Sequence, residues 1–150
     1  MNQPIPTPVH ARSTALEMVR GLSLHGQRAI VTGGASGLGL ETSRALARAG
    51  AELTLAVRNR AQGEAAAQAL TAQTGNPHIQ VALLDLADLA SVQRFADDWG
   101  RMPLHILVNN AAIMACPLAR HAQGWESQFA VKHLGHFLLT RALLAGAGLH

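Results

Sequence analysis

The run Val31-Thr32-Gly33-Gly34-Ala35-Ser36-Gly37-Leu38-Gly39 constrains this chain more than any other feature. An apolar stretch, Arg28-Ala29-Ile30-Val31, leads into it and reads as a buried strand; an amphipathic stretch, Leu40 to Ala49, follows and reads as a helix. A strand, a glycine-rich turn and a helix in that order make a phosphate cradle. Glycine lets the backbone turn sharply and lets a pyrophosphate come close, while the helix N-terminus offers unpaired N–H groups and a partial positive charge. A glycine motif alone is a weak signal, so its surroundings must carry the reading.

Those surroundings repeat the pattern. Residues 1–12 read as a flexible tail with Pro4, Pro6 and Pro8, and Thr14 to Glu17 fits a capping box for a short helix that Gly21 could end. Strand one is Arg28–Thr32 and helix one runs from about Gly37 to Ala49, with Gly50 placed as its C-terminal cap. Glu52–Val57 reads as strand two, Arg60 to Gln73 as helix two, Ile79–Leu84 as strand three, Ser91 to Trp99 as helix three and Leu104–Asn109 as strand four. A long helix is expected from Gly124-Trp125 to about Leu144. Strands that are mostly continuous apolar runs, alternating with helices, indicate a parallel sheet covered on both faces. Right-handed crossovers then give an α/β, Rossmann-like domain of strand order 3-2-1-4, an incomplete doubly wound fold. The domain is expected over 26–150, after the N-terminal tail and short helix of 1–25. Ligands bind such sheets at the carboxyl ends of the strands, where Gly33–Gly39, Arg58, Asp85 and Asn109–Ala112 all fall.

Composition narrows the class. Of the 150 residues, 49% are apolar, enough for a real core. The net charge of +3 comes from scattered arginines and forms no basic run, which argues against nucleic acid as a partner. No span of ~20 residues is free of polar groups, so no membrane segment is expected. The N-terminus lacks the apolar centre of a signal peptide, and the single cysteine, Cys116, permits no intrachain disulfide. A cytoplasmic protein is the default expectation.

The spacing Thr-Gly-x-x-x-Gly-x-Gly at Thr32–Gly39, with Asn109-Asn110-Ala111-Ala112 after strand four and Asp85-Leu86 after strand three, resembles the short-chain dehydrogenase/reductase family, and in particular its retinol dehydrogenase-like subgroup. The resemblance runs from about Thr14 to Leu144. It implies that Gly33, Ser36, Gly37, Leu38 and Gly39 hold a dinucleotide pyrophosphate, that Asp85 and Leu86 meet the adenine, and that Asn109 to Ala111 meet the ribose region. Arg58 stands right after strand two, where the adenosine ribose of such folds lies; an arginine there pairs with the 2′-phosphate of NADP, whereas an acidic residue would favour NAD. NADP is therefore the expected cofactor, with NAD second, although Arg60 nearby is a competing cation. Asp85 also suits a helix start, and Asn109 suits a bond tying strand four to its neighbour. Ala112 replaces the family's glycine.

The proton-transfer residues that the resemblance implies are missing. The family works through a Tyr-x-x-x-Lys pair, a Ser on strand five and an Asn in the helix after strand four. This chain has no tyrosine, its lone lysine is Lys132, and it ends at His150 before strand five would begin. Lys132 itself stands where relatives typically carry the Asn, in Val131-Lys132-His133-Leu134-Gly135-His136. No catalytic residue is assigned, and a truncated or frame-altered member with an NADP-dependent parent activity on an alcohol or carbonyl is expected. The rival reading is a nucleotide-binding or interaction module without catalysis; an unstable remnant is a third.

Other residues have simpler readings. His133 and His136, three apart on the long helix, read as ordinary helix histidines, with a metal pair as the alternative; no acidic or cysteine partner is evident. Trp125, Phe129 and Phe137 read as that helix's core face. Gly146 and Gly148 are expected to fray its end. An open strand-four edge and the apolar excess of residues 125–144 predict self-association.

Overall fold

The computed structural model describes residues 10, 12–114, 117–121 and 124–146. Cys116, Gly148 and most of the N-terminal stretch lie outside the described residues. The short helix α1 (Ala15–Met18) is closed by a full capping box: Thr14 Oγ1 accepts the Glu17 N–H and the Glu17 carboxylate accepts the Thr14 N–H. It packs on α2 (Gly37–Arg48), which follows β1 (Arg28–Thr32). β2 (Glu52–Val57), α3 (Arg60–Thr74), β3 (Ile79–Leu83), α4 (Leu89–Trp99) and β4 (Ile106–Val108) come next. The last helical stretch comprises α5 (Ser127–Phe129), a π-helical segment (Ala130–Gly135) and α6 (His136–Gly146).

The four strands form one parallel sheet of order β3-β2-β1-β4, the order expected from the alternating pattern. Register pairs Arg28 with Glu52 and Ala29 with Ile106, and an Arg28–Glu52 ion pair of 2.9 Å marks the entry end of the sheet. Side chains alternate across the strands. Ala29, Val31, Leu53, Leu55 and Val57 face α2 and α3, where they join Ala47, Ala51 and Leu70 in one core. Ile30 faces the opposite core, with Val92, Phe95 and Trp99 of α4 and Leu139 and Leu143 of α6. Thr32 shares that second face, which is why it can meet the last helix.

Several boundaries differ from expectation. α4 starts at Leu89 and not at Ser91; of the two aspartates expected to introduce it, Asp85 and Asp88, it is Asp88 that caps it, accepting the Ala90 N–H at 2.9 Å. The last helix starts at Ser127, not at Gly124-Trp125: Glu126 accepts the Gln128 and Phe129 N–H groups, and Arg120 bridges Glu126 in an isolated antiparallel pair. Trp125, Phe129 and Phe137 are not its core face; they are 36%, 50% and 57% exposed. The helix is apolar on more than one side, and Val131, His136, Leu139 and Leu143 take the buried one. α6 reaches Gly146, the last of the described residues and two positions beyond the expected Leu144; at Gly146 the missing β-carbon, which would stand 2.7 Å from the Gly100 carbonyl, allows the close approach to the end of α4.

Candidate cofactor site

The strand carboxyl ends open a cleft of about 710 Å³ at the point where the chain's path across the sheet reverses from β3 to β4. Gly33, Ser36, Leu38, Gly39, Arg58, Asp85, Leu86 and Ala111 line it. Most residues assigned from sequence thus converge on one cavity, although they come from four different loops.

The glycine turn is built around close approach. Gly33 has φ +65°, and a β-carbon there would press on Ala111 at 3.2 Å. Gly39 sits against the Gly33 carbonyl and the Asn110 side chain with no room for any added atom. Gly37 does not line the cleft; its part is conformational, at φ +52° with open space around it. Ser36 stands at the N-cap of α2, but its side chain makes no capping bond. By contrast, Thr14, Asn59, Asp88 and Glu126 all cap their helices with side-chain oxygens. The α2 N-terminus therefore brings uncapped N–H groups to the cleft, and no acidic residue stands in its first turn. These features fit the diphosphate of a dinucleotide.

The other walls are distinct in chemistry. Arg58 is exposed, lines the cleft and has no ion pair among the described residues. Arg60 lies outside the cleft and pairs with Glu64 at 3.7 Å, which separates the two candidate cations. Asn59 and Gln62, at the start of α3, also line the cleft. Asp85 faces the cavity while its carboxylate accepts the Ala87 N–H, so it shapes the turn before α4. Leu86 is nearly buried, and Gly135 of the π-helical segment packs directly on its carbonyl.

Asn109 does not line the cleft. Its amide donates to Thr140 Oγ1 at 3.1 Å on α6, a contact with the last helix and not the expected tie of strand four to its neighbour. The tie to the neighbouring strand is made by Asn110, whose Nδ2 donates to the Thr32 carbonyl at 2.9 Å. Thr32 is the hub: its buried Oγ1 accepts the Asn110 and Ala111 N–H groups at 2.9 and 3.0 Å and lies 2.8 Å from His136 Nε2. His136 Nδ1 is 3.3 Å from the Lys132 carbonyl. Burial pushes the His136 pKa down from its usual 6.5, and the Lys132 carbonyl bond opposes that only in part. His133, in contrast, is exposed between the rings of Phe129 and Phe137, so the two histidines do not share a face. The Thr32 and His136 roles were missed from sequence. The signal available was the period-2 alternation that puts Thr32 on the α6 side of β1. Lys132 is exposed and donates to Gln128 Oε1 at 3.2 Å, as a helix-surface charge does.

The short chain dehydrogenase family model matches residues 27–146. The chain belongs to that family. Retinol dehydrogenase 12 of Bos taurus is 45% identical over 125 residues, covering 82% of this chain and 40% of its own length. A "Probable oxidoreductase" of Streptomyces antibioticus is 53% identical over 125 residues, covering 83% of this chain and 42% of its own. The Pseudomonas aeruginosa RhlG/NADP active-site complex superposes with a TM-score of 0.69 at 31% identity, over 83% of this chain and 49% of that one. This short-chain dehydrogenase family member thus spans about two fifths of the length of the curated relatives it matches. Among the described residues, no helix is long and apolar enough to cross a membrane.

Proposed function

We propose that these 150 residues form the cofactor-binding part of an NADP-dependent oxidoreductase acting on an alcohol or carbonyl, and that alone they bind the dinucleotide without turning over. The observation that carries the reading is the position of Arg58: without an ion pair among the described residues, directly after β2, on the wall of the cleft that the α2 N-terminus opens into. The α2 N–H groups and the Gly33–Gly39 turn would hold the diphosphate, Arg58 the 2′-phosphate, Asp85 and Leu86 the adenine, and Ala111 the inner ribose. When bound, the nicotinamide supplies a hydride donor or acceptor. Support for NADP over NAD also comes from the RhlG complex, which holds NADP.

Hydride transfer to a carbonyl needs a proton for the oxygen, and general acid–base assistance supplies roughly two to four decades of rate. The chain has no tyrosine to give it, and Lys132 points to Gln128 on the helix surface. A non-catalytic nucleotide-binding module is the alternative that this absence favours. Titration calorimetry with NADPH, followed by turnover assays with alcohols and aldehydes, tests both halves. No binding at millimolar cofactor would overturn the assignment. Turnover that copurifies with the chain and vanishes in Gly39→Leu would overturn the lack of catalysis.

Association is a separate proposal, supported by the exposed Phe129, Phe137 and Leu144 on one helical stretch and by β4 at the edge of the sheet.

A further inference from the structure

We infer that His136 is a positioning residue for the cofactor cleft, its neutral imidazole accepting the Thr32 hydroxyl proton and so fixing both backbone segments that wall the cavity. The inference rests on the cofactor reading above. Thr32 Oγ1 already accepts two N–H groups, from Asn110 at 2.9 Å, which that amide shares with the Val108 carbonyl at 3.0 Å, and from Ala111 at 3.0 Å, so both of its lone pairs are engaged. One hydroxyl proton remains. The Val108 carbonyl is 3.3 Å away and His136 Nε2 is 2.8 Å away, so the shorter contact takes it. On the other side of the ring, the Lys132 carbonyl can only accept, which puts the imidazole proton on Nδ1. One neutral tautomer therefore satisfies every partner. A protonated ring would aim a second N–H at an oxygen with no lone pair left, and the Asn110 and Ala111 amides would have to give way. Those amides start the segment carrying Ala111 and Ala112 into the cleft, and Thr32 is followed directly by Gly33 on the opposite wall.

Charged groups on the elements that pack near the ring make their bonds elsewhere. Arg28, at the far end of β1, pairs with Glu52, and His105 before β4 accepts the Arg28 N–H. Asp85 takes the Ala87 N–H, Asp88 of α4 pairs with Arg94, and Lys132 reaches Gln128.

Binding of NADPH and of NAD by the whole chain at about pH 7.5 and about pH 5.5 tests the inference. NAD is included because it carries no 2′-phosphate to titrate in that window. The unaltered chain should lose affinity for both on acidification, by less than the roughly tenfold that a ring of ordinary pKa would give over that interval, because burial keeps part of the His136 population neutral at the lower value. His136→Gln, which keeps an acceptor and a donor but does not titrate, should hold its neutral affinity at both values. His136→Phe should be weak at both, with circular dichroism confirming that it is folded. Independently, the imidazole ¹⁵N shifts of the unliganded chain should report a proton on Nδ1. Equal binding by His136→Phe and the unaltered chain, the same acid loss in His136→Gln, or a proton on Nε2 would each overturn the inference and leave the cofactor assignment standing. No binding by the unaltered chain at either pH would remove both.

Discussion

Asn110 Nδ2 donates to the Thr32 carbonyl at 2.9 Å, joining two residues 78 positions apart at the mouths of adjacent strands. Beyond Val31↔Val108 the β1–β4 ladder stops, so this side chain and the two amides on Thr32 Oγ1 continue the pairing into the cleft. Its neighbour Asn109 makes a bond of similar length to Thr140, but in solvent. Losing a bond whose partner stays buried costs far more than losing one that water replaces. Asn110→Ala should therefore lower the unfolding free energy by about 1–2 kcal/mol, and Asn109→Ala by no more than about 0.5 kcal/mol. Urea titration of the two variants checks the order; equal losses would mean that the strand tie is not what holds this loop.

The separation of Arg58 from Arg60 makes cofactor choice testable. A charge-assisted hydrogen bond to phosphate contributes roughly 1.5–3 kcal/mol, or about one to two decades in affinity. NADPH should bind that much more tightly than NADH, Arg58→Ala should erase most of the difference, and Arg60→Ala, which removes only the exposed pair with Glu64, should leave it intact. An Arg60→Ala variant that loses the preference would reassign the phosphate contact.

Glycines in one motif should fail for different reasons. At Gly37 an added β-carbon meets nothing, and the cost is the left-handed conformation, about 1 kcal/mol. At Gly39 the β-carbon meets the Gly33 carbonyl and Asn110 Nδ2, and the backbone must move at about 3 kcal/mol. Thermal melts of Gly37→Ala and Gly39→Ala should rank in that order, and Gly39→Ala should also lose cofactor.

Much of this was legible in sequence because two periodicities coincided with local punctuation. β1 and β2 were bounded to the residue by charged entry positions and by the turn signals after them. Asn59 and Gly75 bracket α3 by side-chain capping and a left-handed C-cap. The cleft residues were legible because each follows a strand end, a topological fact. Which of two adjacent asparagines turns inward was not legible, since that depends on how β4 sits beside β1. The buried face of the last helix was not legible either. With apolar residues on several sides, tertiary contact decides which side is covered, and the π-helical segment at Ala130–Gly135 shifts the phase on which a 3.6-residue reading relies.

The His136 pKa is lowered by burial, so its stability contribution has a definite sign. In the unfolded chain the ring takes a proton near its usual 6.5; in the fold it stays neutral to lower pH. Between those values the unfolded state binds more protons, so stability rises with pH. The contribution is fully present above the unfolded pKa and is lost as pH falls through the folded one. Urea midpoints should drop on acidification below about pH 6.5 in the unaltered chain, and less so in His136→Gln. A parallel drop in both would assign the acid sensitivity to carboxylates instead.

Phe129, His133 and Phe137 stack along the outer side of the last helix, with ring centroids 5.2 and 6.4 Å apart. Together with Leu144 they form an apolar strip next to the interior side that carries Leu139 and Leu143. Covering one large side chain is worth roughly 1.5–3 kcal/mol, so two phenylalanines can supply a useful part of a weak association energy. Sedimentation over a dilution series should show a species that dissociates as concentration falls. Phe129→Glu with Phe137→Glu should shift it to monomer without changing the cooperativity of unfolding, since neither ring belongs to the core. A chain that is monomeric at every concentration before the substitutions would mean that this strip does not drive association.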